Sequence, residues 1–336
     1  MARLSGRPLL DVRADATLFV DRDAELERLT RAVAEGLNVL VSAPRGLGRT
    51  SLLRHLAFQR TEGPRVRVLD ATAHTDAAEF LRGVAAALEV PLPADGASSA
   101  SASSAAASSA AELVAVLAGD AFPSGGAAVL GVDGLSPIVG HAVFGQLRDE
   151  VWRIPLTWLL SCAEVDEAAF LRPPADAFFD ATVRLPPLRD EAVRDLLRRR
   201  TTPTELNDEA VAEVVSLAGG SPRRAIDLAR HLLLAPATGT GTGTETVTAV
   251  RDRLLDREQT VARLGTPARM LLAELEALGG ASASDERLLG RLGWTRARAA
   301  QVLGELEREG LVEASEERGA VGRPRRIYRS KDWLTG

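Results

Sequence analysis

Residues 38–51, NVLVSAPRGLGRTS, run from an apolar stretch into a turn with two glycines and then two hydroxyl side chains. A short buried strand that breaks into such a turn and re-enters a helix leaves a row of backbone N–H groups at the strand's end. That arrangement is a cradle for anions, and phosphate above all. The pattern falls two residues short of G-x-x-x-x-G-K-[ST]. Ala43 stands at the first glycine position and Arg49 at the lysine. Alanine is tolerable there provided the backbone keeps a negative φ. Arginine is the larger change, because a planar guanidinium is bulkier than an ammonium and aimed differently. Arg45, Gly46, Leu47, Gly48, Arg49, Thr50 and Ser51 are the expected phosphate contacts, with Thr50 the expected Mg²⁺ hydroxyl.

The flanking sequence has one architecture in it. Apolar runs at 38–42, 65–71, 127–133, 156–162 and 181–185 alternate with helical periodicities at 23–35, 50–59, 75–89 and near 141–150. Strands separated by helices predict an α/β fold, a parallel sheet with helices on both faces. Residues 189–234 then read as all-helical, with Asn207 a plausible cap and Gly219-Gly220 a helix end. Two low-complexity stretches punctuate the chain. GASSASASSAAASSAA (96–111) is expected to be a flexible excursion followed by a helix from Ala111, and APATGTGTGTETVT (235–248) a linker.

Composition narrows the classes. The 336 residues suffice for two or three domains. No apolar run reaches the eighteen or so residues of a bilayer span, and the first twenty lack the features of a signal peptide. The cytoplasm is the default compartment. One cysteine, Cys162, excludes an internal disulfide, and four scattered histidines offer no metal-ligand spacing. Cys162 reads as a small buried residue, and Trp152, Trp158 and Trp294 as core. A net charge of −5 means that any nucleic-acid surface is local. Lys331 is the only lysine, the bias of a GC-rich genome, so Arg49 is also consistent with drift.

The strand AAVLGVDGL (127–135) ends in Asp133, as a metal-holding strand should, and TWLLSCAE (157–164) ends a strand near Ser161. Together with FVDRDAELERL (19–29), the loop and its TSLL run, RLPPLRDEAVRDLLRRR (184–200) and Gly220-Ser221-Pro222-Arg223, these pieces resemble the AAA+/STAND ATPases. The likeness is to their origin-recognition-like and archaeal-type branch, over residues 17–235. It implies a RecA-like nucleotide-binding domain to residue 187 and a helical lid over 188–235, with ATP or ADP and Mg²⁺ at their junction. Asp133 and Thr50 would hold the metal, Ser161 would face the γ-phosphate, and Arg223 matches the sensor arginine of the lid. Arg172 or Arg184 would be the finger toward a neighbouring subunit. The family usually has Glu after the strand aspartate as the base that polarises water; here it is Gly134, which has no group to accept a proton. Arg49 and Gly134 both point away from hydrolysis, so no catalytic residue is assigned.

After a connecting segment at 236–260, residues 261–336 read as a winged helix-turn-helix. Thr266 is expected to cap a helix with Pro267 at its first position and Met270, Leu271, Leu272, Leu275 and Leu278 at core spacing; 285–292 form a second. Thr295 caps a third, with Ala299, Val302, Leu303 and Leu306 on its buried side, and LVEAS begins a strand. In such folds the third helix enters the major groove and the wing follows the backbone. Arg296 and Arg298 on that helix, and Arg318, Arg323, Arg325, Arg326 and Arg329 in the wing, are the expected contacts to double-stranded DNA. Glu305, Glu307 and Glu309 on the same helix favour a protein partner instead. Three readings follow: a DNA-binding, hydrolysis-deficient scaffold, nucleotide-gated or homo-oligomeric; an active ATPase in which Glu164 assists water; and an adaptor that binds neither nucleotide nor DNA.

Overall fold

The computed structural model describes residues 4–59, 66–92, 102–119, 128–234, 252–253, 256–257, 259–317 and 325–331. Two compact units emerge, Met1–Thr204 with Ala218–Asp227, and Glu205–Leu217 with Leu228–Gly336.

The first unit begins with a one-turn helix α1 (Arg13–Ala16) and α2 (Asp23–Ala34), whose Leu26, Leu29 and Val33 fall on one buried stripe. Then come β1 (Val39–Ala43), α3 (Arg49–Gln59), β2 (Val66–Asp70), α4 (Ala77–Ala87) and α5 (Ala102–Ala118). β3 (Ala128–Asp133) leads to α6 (Pro137–His141), capped by Ser136, and through a π-helical turn (Ala142–Gln146) to α7 (Arg148–Val151). After β4 (Leu156–Ala163) and α8 (Glu167–Phe170), β5 (Ala181–Arg184) ends the sheet, and α9 (Asp190–Arg198) follows. α10 (Asp208–Ala218) and α11 (Pro222–Leu234) each contribute residues to both units. Asn207 accepts from Ala210 N at 2.8 Å, as an N-cap does.

All five strands are parallel, in the order β2-β3-β4-β1-β5, a RecA-like sheet. Both faces are covered, so the central strands are apolar throughout rather than alternating. On one face Leu29, Leu52, Leu53 and Leu56 of α2 and α3 pack on Val39, Val41 and Leu159. On the other, Leu40, Trp158 and Leu160 meet α4, α5 and the π turn. There Phe144 stands edge-on to Trp158, ring centres 5.3 Å apart, and 4.7 Å from Phe178. Such pairs add roughly 0.5–1.5 kcal/mol to simple burial.

Four expectations are corrected. The Ser/Ala stretch is helical from Ala102, nine residues before the expected start, and residues 96–101 lie outside the described ones. Alanine is the best helix former, and Val114 and Leu117 anchor the helix in the core. Trp152 is not a core residue: it is 48% exposed, stacked on Phe178 with Arg148 above it. Met270 is also exposed, since the buried stripe passes through Leu271, Leu272 and Leu275 instead. Thr266 is already helical, and Gly265 occupies the N-cap position. The linker at 235–248 lies outside the described residues.

In the second unit, α12 (Thr266–Leu278), α13 (Glu286–Leu292) and α14 (Arg296–Arg308) surround a small core. Val302, Leu303 and Leu306 of α14 meet Leu271, Leu275 and Leu288. β6 (Val312–Glu317) and β7 (Arg325–Ser330) form an antiparallel pair whose Val312 and Tyr328 close that core.

Candidate functional site

The loop between β1 and α3 lies at the carboxyl edge of the sheet, where parallel α/β folds bind ligands. Ala43 completes β1 in extended conformation and needs no left-handed backbone. Gly46 (φ 88°) and Gly48 (φ 94°) do adopt it, turning the chain so that α3 starts at Arg49. Gly46 also has a steric role. A β-carbon there would lie 3.0 Å from Ser221 Oγ and 3.2 Å from Arg223 Cβ. The first turn of α11 thus rests on the loop, and Arg223 N donates to Gly46 O at 3.3 Å.

Three polar side chains converge across neighbouring strands. Parallel pairing sets Val132 beside Leu160, so the next residues, Asp133 and Ser161, end side by side. Thr50 donates its hydroxyl proton to Asp133 Oδ2 at 2.5 Å, and Ser161 donates to Oδ1. Both oxygens of the carboxylate are therefore engaged, while the Thr50 oxygen, as a hydrogen-bond donor, keeps its own lone pairs available. A hydroxyl oxygen and a carboxylate beside a phosphate cradle are the donors a hard Mg²⁺ ion takes, so the residues fit the metal.

Arg49 does not point along the loop. Its Nη1 donates to Ala43 O and Cys162 O, each at 2.6 Å, the last carbonyl of β1 and the penultimate one of β4. Burial pulls this guanidinium below its ordinary value, against the attraction of Asp133. Arginine remains a cation even so. Cys162 beside it is buried, and burial pushes its thiol up to about 12, which makes it a poor nucleophile.

At Gly134 the chain has φ 76°, and a β-carbon would fall 2.3 Å from Thr72 Oγ1. Position 134 is thus both left-handed and hemmed in by Thr72. Thr72 follows the end of β2, and only its place after that strand could have drawn notice in the sequence. Glu164 is exposed, in the turn after β4.

Other residues escaped the sequence reading. Arg22, buried and at φ 74°, pairs with Glu25 at 3.1 Å and reaches Leu47 O at 3.4 Å, bracing the loop against α2. An R-x-x-E step before an amphipathic helix was its only signal. Ser51 accepts from Leu9 N at 3.2 Å, so the N-terminal segment lies against the start of α3. Arg184 makes a bidentate pair with Glu167 on its own chain, and Arg172 is exposed.

In the second unit, Thr295 caps α14 through Arg298 N at 3.3 Å, leaving Arg296 and Arg298 exposed in the first turn. Arg298 lies over Trp294 and contacts Gln301 at 3.1 Å. The hairpin register sets Glu313 opposite Arg329, Glu316 opposite Arg326 and Glu317 opposite Arg325. Arg326 also pairs with Glu307 of α14 at 2.5 Å, and Arg329 reaches Ser315 at 2.8 Å. Arg318 and Arg323 lie outside the described residues.

No family model and no curated protein matches the sequence. Solved structures do match. Cdc6p from Pyrobaculum aerophilum is 16% identical, with 96% of this chain and 95% of that one covered at a TM-score of 0.52. Aeropyrum pernix ORC1 in complex with DNA is 18% identical over 95% and 92%, TM-score 0.52. Aeropyrum pernix ORC2, in ADPNP–ADP complexes, is 16% identical over 96% and 94%, TM-score 0.53. At such identities the likeness is one of fold alone, and it extends over nearly the whole of each chain.

Proposed function

We propose that this chain is a nucleotide-binding AAA+-type protein that holds ATP or ADP without efficient hydrolysis and acts as a gated or oligomerising scaffold on double-stranded DNA. The observation that carries the reading is the convergence of Thr50 and Ser161 on Asp133 beside the glycine turn, with Gly134 sealed under Thr72. Residues 45–51 would take the phosphates through backbone N–H groups and the start of α3. Bound Mg²⁺ would neutralise phosphate charge, with Thr50 and Asp133 holding it. Arg223, next to Gly46, would sense the nucleotide's far phosphates from α11, and the helices from 188 to 235 would serve as the lid. Nothing attached at 134 accepts a proton from water, so bound triphosphate persists. The three helices and hairpin of the C-terminal unit would be a winged helix, with α14 as its groove-reading helix.

Equilibrium binding of fluorescent ATP and ADP, paired with a phosphate-release assay with and without duplex DNA, tests this. Saturable binding with no release is the expected result. Absence of binding would remove the nucleotide reading. Turnover abolished by Asp133→Ala would replace it with an active ATPase.

A further inference from the structure

The basic residues of the C-terminal unit are not equivalent. Among the described residues, each strand arginine faces a glutamate in the hairpin register. β6 carries three glutamates and β7 three arginines, so the described strands are electrically balanced. Arg326 stands opposite Glu316 in the register and is ion-paired with Glu307 at the far end of α14. Its guanidinium also lies 5.3 Å from the centre of the Tyr328 ring. Arg329 is held as well. It donates to Ser315, and a β-carbon at Gly280 would lie 2.8 Å from its Cγ, so its stem packs tightly on that backbone.

The opening of α14 is different. The Arg296 guanidinium makes no hydrogen bond or ion pair among the described residues, and that of Arg298 meets a neutral amide and an indole ring. Both are exposed. Phosphate binding draws on cationic charge that is not already neutralised, because each contact releases condensed counterions only if a net charge is supplied.

Resting on the DNA-binding reading above, we propose that phosphate contact falls to Arg296 and Arg298, and that the described hairpin is an internally neutralised element. Glu307, by holding Arg326, restrains affinity for DNA. The charge of Arg326 is thereby withheld within the molecule. An exposed pair of this kind is weak, which suits a restraint that a strong polyanion can overcome.

The test uses the full chain and a fluorescein-labelled 25-base-pair duplex of arbitrary sequence, with anisotropy read across a salt series. Arg296→Gln with Arg298→Gln is expected to weaken binding at least tenfold and to flatten the slope of log K against log salt by about two. Glu307→Gln is expected to tighten binding about two- to fivefold. Arg326→Gln is expected to leave the slope unchanged. All four positions are at the surface or half-buried, and circular dichroism would verify that each variant folds. A slope lost equally on Arg326→Gln, or unaffected by the α14 double variant, overturns the proposal while leaving DNA binding intact. Wild type and Glu307→Gln both failing to bind at low salt would overturn the proposal and the DNA reading together.

Discussion

A β-carbon on Gly134 would lie 2.3 Å from the hydroxyl of Thr72, and the residue itself sits at φ 76°. A side chain at 134 would have to displace the Thr72 hydroxyl and hold a left-handed backbone at once. Gly134→Glu should fail to produce phosphate release and should destabilise the first unit by about 1–3 kcal/mol, the usual cost of a non-glycine residue in strained backbone. Phosphate-release assays and thermal melts check both parts. A stable Gly134→Glu variant with ATP turnover would show that the edge between β2 and β3 is more yielding than its geometry implies.

Arg49 caps two strand ends, and its replacement tests whether that structural role or the charge matters more. Arg49→Met should cost about 1–3 kcal/mol, because two carbonyls lose a charged donor. Arg49→Lys should tighten ATP binding, since an ammonium on a flexible stem can turn toward phosphate. It should not start hydrolysis while position 134 remains glycine. Denaturation midpoints and nucleotide titrations on the two variants separate these effects.

Asp133 accepts from Thr50 and Ser161, and the metal-linked share of affinity should pass through it. Asp133→Asn is expected to weaken ATP binding about tenfold in Mg²⁺, or ~1.4 kcal/mol. In EDTA the variant and the wild type should bind alike. Titrations in both buffers settle the matter; an equal loss in EDTA would mean that the aspartate shapes the loop rather than serving the metal.

Asp15 supplies a pH signature. Its carboxylate is buried, receives Arg7 at 2.6 Å and the amide of Leu10 at 2.8 Å, and is held below the usual carboxylate range chiefly by the Arg7 hydrogen bond. A depressed folded-state value means that the stabilisation is complete above the unfolded value of about 3.9 and disappears as pH falls through the folded one. Asp15→Asn should therefore be less stable than wild type at pH 7, with the gap closing below pH ~4. Urea midpoints at both pH values measure it. A gap that persists in acid would assign the loss to packing alone.

Periodicity and local chemistry settled a good part of the architecture in advance. Five apolar runs became five parallel strands within a residue or two of their expected limits, and Thr295 and Asn207 cap the helices they were expected to cap. These are properties of segments, encoded by neighbours within a turn or two. The Ser/Ala stretch misled because its composition says only that it cannot build a core of its own. Whether it becomes helix depended on Val114 and Leu117 finding one.

What the chain determines by itself is thus the kind of piece at each position: a glycine cradle after an apolar strand, an aspartate at the end of another, arginines in a late helix and hairpin. Strand order and register decided what those pieces meet. Asp133 and Ser161 are 28 residues apart and become neighbours only because β3 and β4 pair in parallel with Val132 beside Leu160. Likewise Gly134 looked like a simple loss until the end of β2 brought Thr72 against it, and antiparallel pairing alone set glutamates opposite Arg325, Arg326 and Arg329. Contacts between distant segments rest on burial and pairing free energies summed over the whole core, and no local pattern in the sequence carries that sum.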